Sequence, residues 1–153
     1  MPTVIDREDR TVSTAFTKAR YNRLAPLYNF MEALPERQFA PWRRILLAKV
    51  RGEILEIGVG TGKNFPHYPQ GAHVTGIDFA DRLLAIARKE ALELQLPFDL
   101  RDVQNLDFPD DTFDTAVATC VFCSVPDPVQ GFRELRRCCQ ALRPGPPFGA
   151  CPH

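Results

Sequence analysis

Apolar positions along the chain fall into short blocks with two different periods. Tyr21, Leu24, Ala25, Tyr28 and Met31 recur at helical spacing, which predicts a first helix that Pro35 interrupts. A second helix follows, with Phe39, Trp42, Leu46 and Val50 read as one face and Arg43 and Arg44 turned away. Gly52 reads as its C-terminal stop. Glu53–Ile57 and His73–Ile77 are short apolar strands, and Leu83, Leu84, Ala87, Ala91 and Leu94 mark a helix over 81–95. Residues 97–101 and 114–119 read as third and fourth strands. Asp127-Pro128 then opens a helix as cap and first turn, with Val129, Phe132, Leu135, Cys139 and Leu142 as its apolar face. Strands alternating with helices predict an α/β domain with a mainly parallel sheet. The opening residues carry no such period, so 1–19 reads as a flexible arm, the alternative being an unstable leading helix. Residues 20–142 read as the domain, and 143–153, with four Pro and two Gly, as an irregular tail.

Composition narrows the field. The length suits one domain, and the 19 basic and 19 acidic side chains cancel. Bulk charge therefore gives no reason to expect a nucleic-acid partner. No apolar run approaches the length of a membrane span, and the charged start lacks a secretory signal core. All five Cys and six of the 14 Pro lie beyond residue 119. Cys120 and Cys123 form a CxxC pair, which could hold zinc or exchange disulfides. Cys138 and Cys139, adjacent on a helix, point about 100° apart. No metal is expected, and five unpaired thiols suit a reducing cytoplasm.

The candidate chemistry lies at Glu56-Ile-Gly58-Val-Gly60-Thr-Gly62, between a strand and a helical turn. In an open α/β sheet this is where a nucleotide-like ligand binds. A dinucleotide fingerprint needs its third glycine at 63, which is Lys63; a P-loop needs Ser or Thr where Asn64 stands. The acid at 56 is a liability beside a pyrophosphate and an asset beside a cation. A ligand carrying a sulfonium and an ammonium fits better than one carrying phosphates.

Five stretches, in order and correctly spaced, resemble the class I S-adenosylmethionine-dependent methyltransferases. In particular they resemble the group of ubiquinone/menaquinone-biosynthesis and phosphatidylethanolamine N-methyltransferases. They are residues 21–28, Leu55–Gly62, Val74–Asp78, Leu106–Asp114 and Cys120–Pro128. The resemblance spans roughly residues 20–145. It implies a Rossmann-like fold of strand order 3-2-1-4 with N-terminal helices, and S-adenosyl-L-methionine as cofactor. Gly58, Gly60 and Gly62 would pass the backbone under its methionine portion, with Glu56 nearby. Asp78 would accept from the ribose hydroxyls; its other reading is a helix cap. Phe79 would pack on the adenine. Asp102 would accept the adenine amino group, the alternative being a solvated loop acid, and Val103 would offer its N–H to the ring. Thr119, with Cys120, would lie near the methyl donor and the substrate entrance. Tyr21 and Tyr28 would close over the cofactor or serve as packing aromatics.

Methyl transfer from a sulfonium asks mainly for positioning, and no residue announces itself as a general base. His67 and His73 qualify by type only. The Asp/Asn-Pro-Pro-Tyr signature of DNA amino-methylating enzymes is absent, Thr119-Cys-Val-Phe122 standing in its place. Small-molecule or lipid-like acceptors are therefore expected: an ethanolamine nitrogen, a quinone carbon or a thiol. After Leu142-Arg-Pro-Gly145 the family pattern stops, and Pro146 and Pro147 replace an expected strand. This reads as a C-terminally truncated methyltransferase, from a shifted frame or a fragment end, lacking the last three strands. Strand 4 would then be an exposed edge suited to self-association. The alternatives are a non-catalytic cofactor-binding remnant or interaction module, and a nicotinamide-dependent oxidoreductase.

Overall fold

The computed structural model describes residues 7–90 and 98–140. Its elements are α1 (Arg7–Leu47), β1 (Glu53–Ile57), β2 (His73–Asp78), α2 (Asp81–Glu90), β3 (Phe98–Leu100), β4 (Thr115–Ala118) and α3 (Pro128–Cys138). Short 3-10 turns at Phe65–His67 and Phe122–Ser124 follow β1 and β4. The four strands form one parallel sheet in the order β3-β2-β1-β4. That is the order expected from the sequence. The expected helix positions Ala91 and Leu94, strand residue Pro97, and Leu142, Cys151 and the 143–153 tail lie outside the described residues.

β1 is central, and Ile54–Ile57 are all buried, as in a parallel strand covered on both faces. Leu55 and Ile57 join Ile77, Phe113, Leu135 and Cys138 in the core under α3. Ile54 joins Leu47, Val50, Val74 and Val117 on the opposite face, against the end of α1. Strand alternation puts Glu56 on that second face, in a row otherwise reserved for apolar side chains. Its neighbours across the ladder are Gly76 and Val117.

Four expectations about the helices are corrected in whole or in part. Residues 7–19 form the first turns of α1, the helical alternative rather than the flexible arm, and Pro35 does not divide the helix. A proline removes one backbone bond and bends a long helix without having to end it. The leading turns dock through polar groups, which hydrophobic periodicity cannot register. Thr14 donates to Asp102, Lys18 pairs with Asp81 at 3.2 Å, and Asn22 both donates to Asp81 and accepts from the Arg82 amide at the start of α2. Ala25 is buried beside Ala80 and Leu83.

A further correction concerns the end of α1. Phe39, Trp42, Ile45 and Leu46 are exposed, whereas Leu47 and Val50 are buried and Arg43 turns inward. Residues 43 and 47 share a face at i and i+4, and that face meets the sheet, with Val50 buried in the turn just beyond the helix. In α3 the expected face holds at Leu135 and at Cys139 just past its end, both buried beside Gly131 and Cys138, while Val129 and Phe132 are exposed. Phe132 stacks on Phe122 with ring centroids 4.1 Å apart. The cap is as expected: Asp127 accepts from the Gln130 amide at 3.0 Å and Pro128 opens the helix.

Candidate functional site

The loop after β1 turns because its backbone bonds to the neighbouring strand. The amides of Gly58 and Val59 both donate to the Ile77 carbonyl, at 2.8 and 3.1 Å. Gly58 has φ +66°, and a Cβ there would stand 2.3 Å from a methyl of Val121, so only glycine fits. Gly60 differs: a Cβ there would meet nothing closer than the Gly58 carbonyl at 3.9 Å, and it faces open space. Its amide donates to Asp78 Oδ2 at 2.8 Å, and the Ala80 amide donates to Oδ1 at 2.8 Å. Asp78 is buried, and burial pushes its carboxyl above the ordinary range although these amides pull it down. It thus ties the glycine loop to Ala80, the residue just before α2, while lining the cavity.

A cavity of about 180 Å³ opens at the C-terminal ends of β1, β2 and β4. It brings together Tyr21, Glu56, Gly58, Gly60, Asp78, Phe79 and Thr119. Tyr21 packs edge-on to Phe79 at 5.9 Å, and its hydroxyl bonds Ser124. Cys120, also on the wall, has φ +58°, an uncommon left-handed backbone for a residue other than glycine. A second, smaller cavity of about 20 Å³ adjoins the first and shares Gly58, Asp78 and Phe79 with it. Asp102 and Val103 line it. Its volume suits about one water molecule. Asp102 is already engaged there: Thr14 donates to Oδ2 at 3.2 Å, and the Gln104 side chain donates to both oxygens at 3.0 Å. Gly62 is buried against the Phe65 ring and lines neither cavity. Tyr28 lies on α1, but its side chain is outside the described residues. His67 and His73 line neither cavity, and His73 pairs with Glu53 at the exposed start of β2.

The structure adds residues that sequence reasoning missed. Glu56 accepts from Asn64 Nδ2 and from the Tyr68 hydroxyl, both at 2.9 Å. Burial raises its carboxyl to about 7, against the opposing effects of these two donors and of the Arg43 charge. Arg43 donates from one terminal nitrogen to Asn64 Oδ1 at 2.7 Å and to the Thr119 hydroxyl at 3.0 Å. Asn64 Nδ2 also reaches Thr119 at 3.1 Å. Four elements therefore meet in one polar cluster. The phase of Leu47 and Val50 would have brought Arg43 to it; nothing in the spacing announced Asn64 or Tyr68. The Thr61 hydroxyl, buried in the cavity wall, has no hydrogen-bond partner among the described residues.

These features fit a nucleoside-bearing cation: a carboxylate at the end of β2, a buried acid at the end of β1, an open cradle at Gly60 and a spare hydroxyl at Thr61. Fold and cavity together define a nucleotide-type α/β site at the C-terminal strand ends. The chain matches a family model described as a methyltransferase domain over residues 55–145. It belongs to that family. It is 45% identical over 93 residues to a phosphatidylethanolamine N-methyltransferase of Cereibacter sphaeroides, covering 58% of this chain and 46% of that protein. To a demethylmenaquinone methyltransferase of Tropheryma whipplei (strain Twist) it is 34% identical over 145 residues, covering 90% of this chain and 59% of the other. Among solved structures, the [4+2]-cyclase SpnF superposes with a TM-score of 0.69 at 26% identity, covering 87% of this chain and 57% of that one. The chain thus spans about half the length of the curated relatives it matches. The cyclase is a reminder that a shared fold does not by itself fix the reaction.

Proposed function

We propose that this chain binds S-adenosyl-L-methionine and serves methyl transfer to a small-molecule or lipid-like acceptor. The observation that carries the reading is the convergence of Asp78, Glu56 and the glycine loop on one cavity. When bound, the cofactor supplies an activated methyl group on a sulfonium. Asp78 accepts from the ribose hydroxyls with lone pairs left over from the Gly60 and Ala80 amides, and Phe79 packs on the adenine. Asp102 accepts the adenine amino group once Thr14 or Gln104 yields an oxygen, and Val103 lies beside the ring. Gly58, Gly60 and Gly62 shape the backbone under the methionine end, which Glu56 faces. Thr119, with Cys120, borders the acceptor side. Tyr21 closes the site from α1. The chain's contribution is orientation and exclusion of water, with no side chain assigned as a base.

The named relatives support acceptors of the lipid headgroup and quinone classes, and a thiol joins them as the third candidate nucleophile. A cytoplasmic location agrees with the free thiols at Cys120, Cys123, Cys138 and Cys139. No helix among the described residues is long and apolar enough to cross a membrane. β4 has one neighbour among the described strands, and although Phe113 just before it bridges to Cys139, the rest of that edge is the surface we assign to self-association. The test is titration calorimetry with S-adenosylhomocysteine and NAD, followed by labelled-methyl transfer to phosphatidylethanolamine vesicles, a demethylated quinone and a small thiol. Homocysteine-nucleoside binding with transfer to one acceptor is expected. Binding without transfer to any would favour a non-catalytic cofactor-binding module, and preference for NAD would overturn the reading.

A further inference from the structure

Arg43 belongs to α1, outside the span matched by the family model, yet its guanidinium reaches the centre of the site. The Asn64 amide has two ends, and geometry alone could place either toward Glu56. Arg43 removes that freedom. It can only donate, so it must face Oδ1, at 2.7 Å. Nδ2 is then turned to Glu56 Oε1 at 2.9 Å and to Thr119 at 3.1 Å. With the amide reversed, an oxygen would face the Glu56 carboxylate and an NH2 would face a cation. The other groups that act on Glu56 are Tyr68, whose hydroxyl donates to Oε2 at 2.9 Å, and Asp78 at the end of β2, whose charge opposes ionisation of Glu56.

We infer that Arg43 is a positioning residue for the cofactor's cationic end: by fixing the Asn64 amide it presents Glu56 as a carboxylate to that end, so that seating of α1 sets the electrostatics of the glycine loop. This rests on the proposed cofactor reading, but only in part, because the effect on Glu56 exists without any ligand. Burial opposes the charge on Glu56, and the Arg43 charge and the Asn64 bond both favour it. Removing Arg43 therefore raises the pH at which Glu56 ionises. A lysine at 43 keeps the charge and one donor, and recovers part of the effect.

The experiment uses the full chain as wild type, Arg43→Met and Arg43→Lys. Carbon-13 NMR of the Glu56 side-chain carboxyl, assigned by its loss in Glu56→Gln, follows titration in the ligand-free protein. The midpoint is expected to move up by about one pH unit, a tenfold change in ionisation, in Arg43→Met and by less in Arg43→Lys. In parallel, calorimetry at pH 6 and 8.5 compares S-adenosylmethionine, which carries the sulfonium, with S-adenosylhomocysteine, which does not. Arg43→Met is expected to lose several-fold more affinity for the first than for the second, most clearly at the lower pH. An unchanged Glu56 midpoint in both variants overturns the inference. A shifted midpoint with no cofactor binding by the wild type leaves the Arg43–Glu56 coupling standing and overturns the cofactor reading. If Arg43→Met does not fold, Arg43→Lys alone decides: a midpoint identical to wild type, with an unchanged ratio of the two affinities, refutes the role.

Discussion

Replacing Glu56 with glutamine tests the site without any ligand. In the fold this carboxyl is pushed from an ordinary 4.5 up to about 7, chiefly because burial penalises its charge. A group whose folded pKa is raised contributes stability that is fully present below the unfolded value. That contribution is lost as pH rises through the folded value. Here the window runs from about 4.5 to beyond 7. At about 1.4 kcal/mol per pH unit, the rise is worth roughly 3 kcal/mol, so the wild type should be that much less stable at pH 8.5 than at pH 5 on account of this group. Glutamine is isosteric and stays neutral. Its oxygen can accept from Asn64, and its NH2 can donate to Tyr68, whose hydroxyl accepts as well as donates. Glu56→Gln should therefore resemble the protonated wild type. Asp78 shifts in the same direction, so the quantity to read is the difference between the two proteins, in which Asp78 enters only through its charge coupling to Glu56. Urea unfolding at both pH values is the assay. The advantage of the variant should grow by roughly 3 kcal/mol from pH 5 to 8.5. Parallel stability curves would refute the picture of a desolvated acid whose partners offset its burial only in part.

Asp78→Ala should weaken S-adenosylhomocysteine binding by about 1.5–3 kcal/mol, roughly 10- to 150-fold, through loss of charge-assisted bonds. It should also lower stability, because the Gly60 and Ala80 amides lose their acceptor; unchanged affinity by calorimetry would sink the ribose assignment. Gly58→Ala should cost about 1–2 kcal/mol from its left-handed backbone alone, and more from the clash with Val121. Adding Val121→Ala should recover only the steric part, and thermal unfolding of the single and double variants separates the two. Full recovery in the double variant would mean that φ at 58 carries no cost.

The strands were legible because a buried parallel sheet writes itself as short apolar runs. Ile54-Leu55 and Val74 through Ile77 carry both the core and the register. The acids that matter sit at the ends of those runs, so Glu56 and Asp78 stood out by position. What failed was phase. Near the end of α1 the apolar side chains of Trp42, Ile45 and Leu46 lie on the outer face, Phe39 borders the cavity on the same side as Arg43, and Leu47 holds the inner face with Val50 buried just beyond the helix. Counting hydrophobicity favours the heavier stripe and turns Arg43 outward. In α3 the buried face includes Gly131, which has no side chain to count and is buried because Phe122 occupies the space: a Cβ there would stand 3.0 Å from that ring.

The polar contacts were illegible for a related reason. Thr14, Asn64 and Tyr68 have partners 88, 8 and 12 positions away, at separations no local period encodes. In this chain the apolar pattern specifies the sheet. The site's electrostatics depend on polar side chains whose meaning appears only once the sheet has brought β1, β4 and α1 together. A substitution chosen from the apolar pattern alone would pass over Arg43 as a surface residue. The geometry makes it one of the more consequential positions outside the glycine loop, because the orientation of Asn64 and the charge of Glu56 both depend on it.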